Sequence, residues 1–122
     1  MVNDFVFAGL EQLVRGRGFL VAGDWNVARS VDDRYPGSPG SEFFRRTEER
    51  GWFECLPEGG QEVQTWFGGG APYQDDHAFC DPDLGGHLSK VWVAAEAAMD
   101  LRLSHHAPLI MDFDIRTITD HS

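Results

Sequence analysis

Positive charge is scarce in this chain. Ten Lys and Arg stand against twenty Asp and Glu, giving a formal charge of −10. A bare surface of that sign repels a polyanion, so the basic footprint of a protein that tracks a nucleic-acid backbone is missing. Two routes to a phosphate substrate stay open: a small molecule reached through bound metal cations, or a basic groove carried by another part of the protein. Cysteine is scarcer still. Cys55 and Cys80 are the only two, and without Cys-x-x-Cys spacing they fit reduced core thiols better than a disulfide or a zinc site. No apolar run approaches the roughly 20 residues needed to span a bilayer. The opening Met1-Val2-Asn3-Asp4 has neither the basic nor the apolar stretch of a secretion signal. A cytoplasmic location and no membrane partner are therefore expected. With 122 residues, and no repeat, low-complexity tract or internal linker, the chain has room for one compact domain.

What is present reads as alternating helices and strands. Asn3 is placed to cap a helix with Val6, Leu10, Leu13 and Val14 on its apolar face, ending at Gly16. Residues 18–22 are continuously apolar and predict a short strand buried on both faces, ending at Gly23-Asp24. Residues 32–40 read as an ordered loop. Ser41 is then placed to cap a helix over residues 42–50, closed by Gly51, with Phe43 and Phe44 as core anchors. Residues 52–56 and 62–67 read as strands around the turn Pro57-Glu58-Gly59-Gly60, and residues 74–80 as another. Residues 108–115 alternate Leu109, Met111, Phe113 and Ile115 against Ile110, Asp112 and Asp114, which predicts a strand with one buried face. Residues 90–101 are ambiguous: the alanine-rich part favours a helix.

Three short segments carry the chemistry. In Gly23-Asp24-Trp25-Asn26, a carboxylate follows an apolar strand into a loop, where it is placed to orient or deprotonate water. Asn26 faces the same way two residues on and can bond both Asp24 and a phosphate oxygen without adding charge. Taken alone, the four residues also fit an ordinary Asp/Asn turn. Asp76-His77-Ala78-Phe79 puts a second carboxylate at a strand start, with Asp75 on the opposite face. Ser104-His105-His106-Ala107-Pro108 brings two imidazoles just before a Pro-led strand. Carboxylate, carboxamide and imidazole together suit a divalent cation and the activation of water on a phosphate ester. Two other segments carry less. Gly68-Gly69-Gly70 lacks the Lys and Ser/Thr of a phosphate cradle, and residues 81–85 begin like a calcium loop but miss its later ligands.

These three segments, in this order, resemble the endonuclease/exonuclease/phosphatase superfamily of metal-dependent phosphoesterases, whose signatures read roughly GDFN, then D-H/Y-apolar-aromatic, then SDH-x-P. The resemblance covers most of this chain but only the C-terminal half of the family's domain. It implies an α/β (α+β) fold, the C-terminal half of a four-layer α/β-sandwich with mixed, mostly antiparallel strands, as a single partial domain over residues 1–122. It also implies a strand near Val91-Trp92-Val93. The function it implies is a divalent-metal-dependent phosphoester hydrolase using Mg²⁺ or Mn²⁺. Asp24, Asn26, Asp76 and His106 are the implied catalytic residues, and Asp24, His105 and His106 the implied metal-side residues. Asp76 would support the histidine or the leaving-group proton, and His106 would steady charge developing on the phosphate.

The chain departs from the pattern at His105, where the family has Asp. An imidazole can ligate a metal but supplies no negative charge; it would favour a softer ion such as Mn²⁺ over Mg²⁺ or weaken the enzyme. The family's Asn-bearing first strand and its Glu-bearing second strand have no counterpart here. The chain is therefore expected to be a piece of a longer enzyme, or a half-domain completed by a partner chain or a second copy. A non-catalytic remnant or binding module is the competing expectation. Nucleic acid and small-molecule phosphoesters both remain open as substrates, since one such fold hosts many of them.

Overall fold

A computed structural model of the protein describes residues 4–14, 18–25, 27–32, 34–57, 60–69 and 73–115. In chain order the elements are α1 (Asp4–Val14), β1 (Leu20–Asp24), α2 (Arg29–Asp32), α3 (Pro39–Glu49), β2 (Phe53–Glu54), β3 (Asp76–Cys80), α4 (Pro82–Gly85), β4 (Leu88–Val93), α5 (Glu96–Met99) and β5 (Leu109–Phe113). The fold is mixed α and β, with antiparallel sheets. One sheet has the order β1-β3-β2, and β4 pairs with β5 in a second.

The alternation of side chains along β3 sets the layers. Phe79 points to one face, into a cluster with Phe7 of α1 and Phe43 and Phe44 of α3, joined by Trp25 and Val27. Ala78 and Cys80 point to the other, against Cys55 and Val91, with Leu109, Met111 and Phe113 packed alongside. The two helices thus cover one face of the three-stranded sheet, and the β4–β5 pair covers the other. Edge-to-face contacts such as Phe7 on Phe43, with ring centroids 5.7 Å apart, tie α1 to α3.

Local chemistry explains most element ends. Helix α3 starts at Pro39, which suits the first helical position because its missing N–H would be unpaired there anyway. Ser38, not Ser41, is its cap: the Ser38 hydroxyl accepts from the Ser41 amide at 3.1 Å. Gly51, at φ 71°, releases the chain after it. Asp81 resolves the calcium-like segment: its carboxylate accepts from the Leu84 amide and from the Phe19 amide, each at 2.9 Å, capping α4 and fastening the approach to β1.

Several sequence expectations need correction. Residues 62–67 form no strand; only an isolated bridge joins Trp66 to His106. β1 is not buried on both faces. It is an edge strand, and Leu20 is 46 % exposed because the β4–β5 pair packs over β3 and leaves that side of β1 open. Leu13 of α1 is exposed, while Phe7 is the buried anchor. The ambiguous stretch contains both states, the end of β4 followed by the short α5. Asn3, Gly16, Asn26, Gly70 and the centre of the turn at residues 57–60 lie outside the described residues.

Candidate metal and phosphoester site

Asp24 ends β1 and Asp76 begins β3, and the antiparallel register makes them direct Cα partners. They share a face with Ala78 and Cys80, the face turned toward β4–β5. The chain beyond Asp24 is clamped: the Trp25 amide donates to the Asp75 carbonyl at 3.0 Å, and the buried Trp25 indole donates to the His77 carbonyl at 2.9 Å. The aromatic ring between Asp24 and Asn26 is therefore an anchor in the helix-side core, which fixes the height at which Asp24 leaves the sheet.

His106 arrives from the loop before β5. Its Nδ1 lies 2.8 Å from Asp76 Oδ2, and its Nε2 lies 3.6 Å from Asp24 Oδ2. The ligand atoms of Asp24, Asp76 and His106 all fall within 4.8 Å of one another. The His106 amide donates to the Ser104 hydroxyl at 3.0 Å, which bends the loop before the histidine. A cavity of about 360 Å³ adjoins the cluster, lined by Ala22, Gly23, Pro108 and Met111 beside Asp76 and His106.

Electrostatics tie the three together. The Asp76 hydrogen bond raises the His106 pKa above its ordinary value, partly opposed by desolvation and reinforced by the charges of Asp76, Asp24 and Asp75. Burial raises the Asp75 carboxyl, with the Asp24 and Asp76 charges adding to it. Asp75 lies on the opposite face of the chain, and it is Asp76 that holds the imidazole. His105 is exposed and stands outside the cluster; its backbone carbonyl accepts from the Phe67 amide at 2.6 Å.

A second group, Glu54, Glu62 and His77, lies on the helix side of the sheet. His77 is 1 % exposed. Its Nδ1 faces Glu54 at 2.9 Å and its Nε2 faces the Val27 carbonyl at 2.7 Å. A carbonyl only accepts, and so does Glu54 when ionised; with that carboxylate charged, both ring nitrogens donate and the imidazole carries the matching positive charge. Burial works against that charge, yet the Glu54 bond and charge outweigh it and raise the His77 pKa. Burial likewise disfavours the Glu54 carboxylate, but bonds from His77 and from Arg29 at 2.8 Å hold its pKa down. The Arg29 guanidinium also lies 4.2 Å over the Phe44 ring. With its donors and acceptors satisfied from within, this group braces the sheet.

Sequence reasoning placed His77 in the second motif without giving it a role, and did not single out Glu54, Glu62 or Arg29, nor the buried Gln74 and Thr65. The one signal was polar side chains set among apolar neighbours, and that pattern does not reveal which of them meet. No protein-family model matches the chain, and no curated protein matches it.

Proposed function

We propose that this protein is a divalent-metal-dependent phosphoester hydrolase of the endonuclease/exonuclease/phosphatase type, built on the C-terminal half of that family's four-layer sandwich. The observation that carries the reading is the meeting of Asp24, Asp76 and His106 from three separate segments within 4.8 Å. The two carboxylates suit a hard divalent cation, and the imidazole beside them can donate to a bound phosphate. Asp24 and Asp76 would hold Mg²⁺ or Mn²⁺, which supplies Lewis-acid polarisation of a phosphoryl oxygen, with His106 beside them as a donor rather than a ligand.

The chain's own groups supply the rest. Asp24, the most exposed of the three side chains at 40 %, is placed to orient water and accept its proton. Asp76 fixes the His106 ring and favours its protonated form. His106 Nε2, directed to the Asp24 side, is then a donor for charge developing on a phosphoryl oxygen. Asn26 is assigned to the phosphate by resemblance alone. The substrate class is a phosphoester, from nucleic acid or a small molecule, and the proposed location is the cytoplasm. None of the described helices is long and apolar enough to cross a membrane.

Hydrolysis of bis(p-nitrophenyl) phosphate is the test. Activity should require Mn²⁺ or Mg²⁺, vanish with chelator, and be lost in Asp24→Ala. A chain that hydrolyses nothing with either metal defeats the proposal. One observation favours a second reading, a non-catalytic binding module that keeps the half-fold: His105 replaces the family carboxylate and stands outside the cluster. Such a module would show no saturable effect of Mn²⁺ on melting temperature.

A further inference from the structure

Thr65 is 0 % exposed, yet it belongs to no strand. Its hydroxyl Oγ1 accepts from the Asp75 amide at 3.1 Å and from the Asp76 amide at 3.3 Å. Its carbonyl accepts from the Ala107 amide at 2.7 Å, one residue past His106. Its own amide donates to the Tyr73 carbonyl at 3.0 Å. The neighbours continue the contact: Trp66 bridges His106, and the Phe67 amide donates to the His105 carbonyl.

The sheet explains why this residue is needed. β2 pairs with β3 through Phe53 with Cys80 and Glu54 with Phe79, and the Cys55 amide donates to the Ala78 carbonyl at 2.9 Å just beyond them. At its start β3 therefore has β1 on one side and, among the described residues, no strand on the other. Thr65 stands on that open side and supplies, from a side chain, the acceptor that a neighbouring strand would have provided. Gln74 assists, with Nε2 donating to the Asp76 carbonyl at 3.1 Å and Oε1 accepting from the Val63 amide at 2.8 Å. One side chain thus grips the backbone of Asp76 while its own carbonyl grips the backbone beside His106.

We propose that Thr65 is a positioning residue that holds Asp76 and His106 at hydrogen-bonding distance, and that its hydroxyl is the part that does so. The catalytic consequence rests on the hydrolase reading above; the geometric one does not. Valine keeps the shape of threonine and removes the acceptor, so residues 75–76 lose their tether while the apolar contacts stay. Serine keeps the acceptor.

Long-range ¹H–¹⁵N correlation of the histidine rings reads the pair directly. Wild type should show a His106 Nδ1 proton protected from exchange by Asp76. Thr65→Val should lose that signal to water while its amide spectrum remains native, and Thr65→Ser should keep it. With Mn²⁺ and bis(p-nitrophenyl) phosphate, Thr65→Val should lower kcat by about 10- to 100-fold with KM unchanged, and Thr65→Ser should restore it. An unchanged His106 signal in folded Thr65→Val, or its loss in folded Thr65→Ser, overturns the proposal. If Thr65→Val does not fold, Thr65→Ala takes its place in the same reading. A wild type that hydrolyses nothing but follows the imidazole pattern keeps the tether and defeats only the hydrolase.

Discussion

Asp24 and Asp76 face each other as direct cross-strand partners in the β1–β3 ladder. Like charges in that relation are destabilising, and the partial remedy is His106, closer to Asp76 at 2.8 Å than to Asp24 at 3.6 Å. A site where a local rule is broken in this way is where function is expected to sit. The arrangement is suited to receive more positive charge than the chain itself supplies.

Neutralising one of the pair should therefore help the metal-free fold and harm the site. Asp24→Asn is expected to raise stability in chelator by about 0.2–1 kcal/mol, while abolishing the response to metal. Chemical denaturation with EDTA and with Mn²⁺ measures both. A variant less stable than wild type in EDTA would show that Asp24 is not under repulsion.

Metal should stabilise the wild-type protein by mass action. At one hundred times the dissociation constant the expected gain is about 2.7 kcal/mol, which for a chain of this size is a rise of several degrees in melting temperature. Differential scanning fluorimetry across a Mn²⁺ titration reads it. Saturation in wild type and a flat response in Asp24→Ala are the expected results.

Asp76→Asn removes the charge that holds the His106 proton. The His106 pKa should fall toward its ordinary value, visible by NMR titration, because the Asp76 hydrogen bond is the first cause of its elevation. Hydrolysis should drop by about 10²- to 10⁴-fold, the range for a group engaged in proton handling.

The buried Glu54–His77 pair predicts how stability depends on pH. The His77 pKa is raised above 6.5, so its contribution is complete below that value and is lost as pH climbs through the folded one. The Glu54 pKa is lowered below 4.5, so its contribution is complete above that value and is lost as pH falls through the folded one. Stability should peak between these limits and decline toward alkaline pH. His77→Gln should remove most of the alkaline decline and cost about 1–3 kcal/mol, because Glu54 Oε2 and the Val27 carbonyl lose a buried donor while Arg29 still holds Glu54 Oε1. His106→Gln, at a more exposed ring, should leave most of it. Urea denaturation across pH makes the comparison.

Cys55 and Cys80 lie fully buried as free thiols, with sulfurs 3.9 Å apart in a weak hydrogen bond. Burial, with the neighbouring Cys80, pushes the Cys55 thiol up to about 12. At neutral pH neither should react with a thiol reagent until the protein unfolds, and both should react in denaturant. Rapid labelling of the native protein would contradict this packing.

The sequence by itself determined some local features: that Gly51 closes α3, that Phe43 and Phe44 anchor a core, and which short segments hold carboxylates and imidazoles. Those features depend on neighbours a few residues away, and side-chain period and backbone preference carry them. Tertiary structure alone decided the rest. The partnership of Asp24 with Asp76 depends on strand register, and the placement of His106 depends on a loop crossing from another sheet. Thr65 gains its role only because β2 stops short of the start of β3, leaving two amides to be paired by something else. His77 becomes a cation only because Glu54 and the Val27 carbonyl close on its two nitrogens. Such contacts join residues 23 to 50 positions apart, and no local pattern in a single chain encodes which distant polar group will arrive to satisfy which.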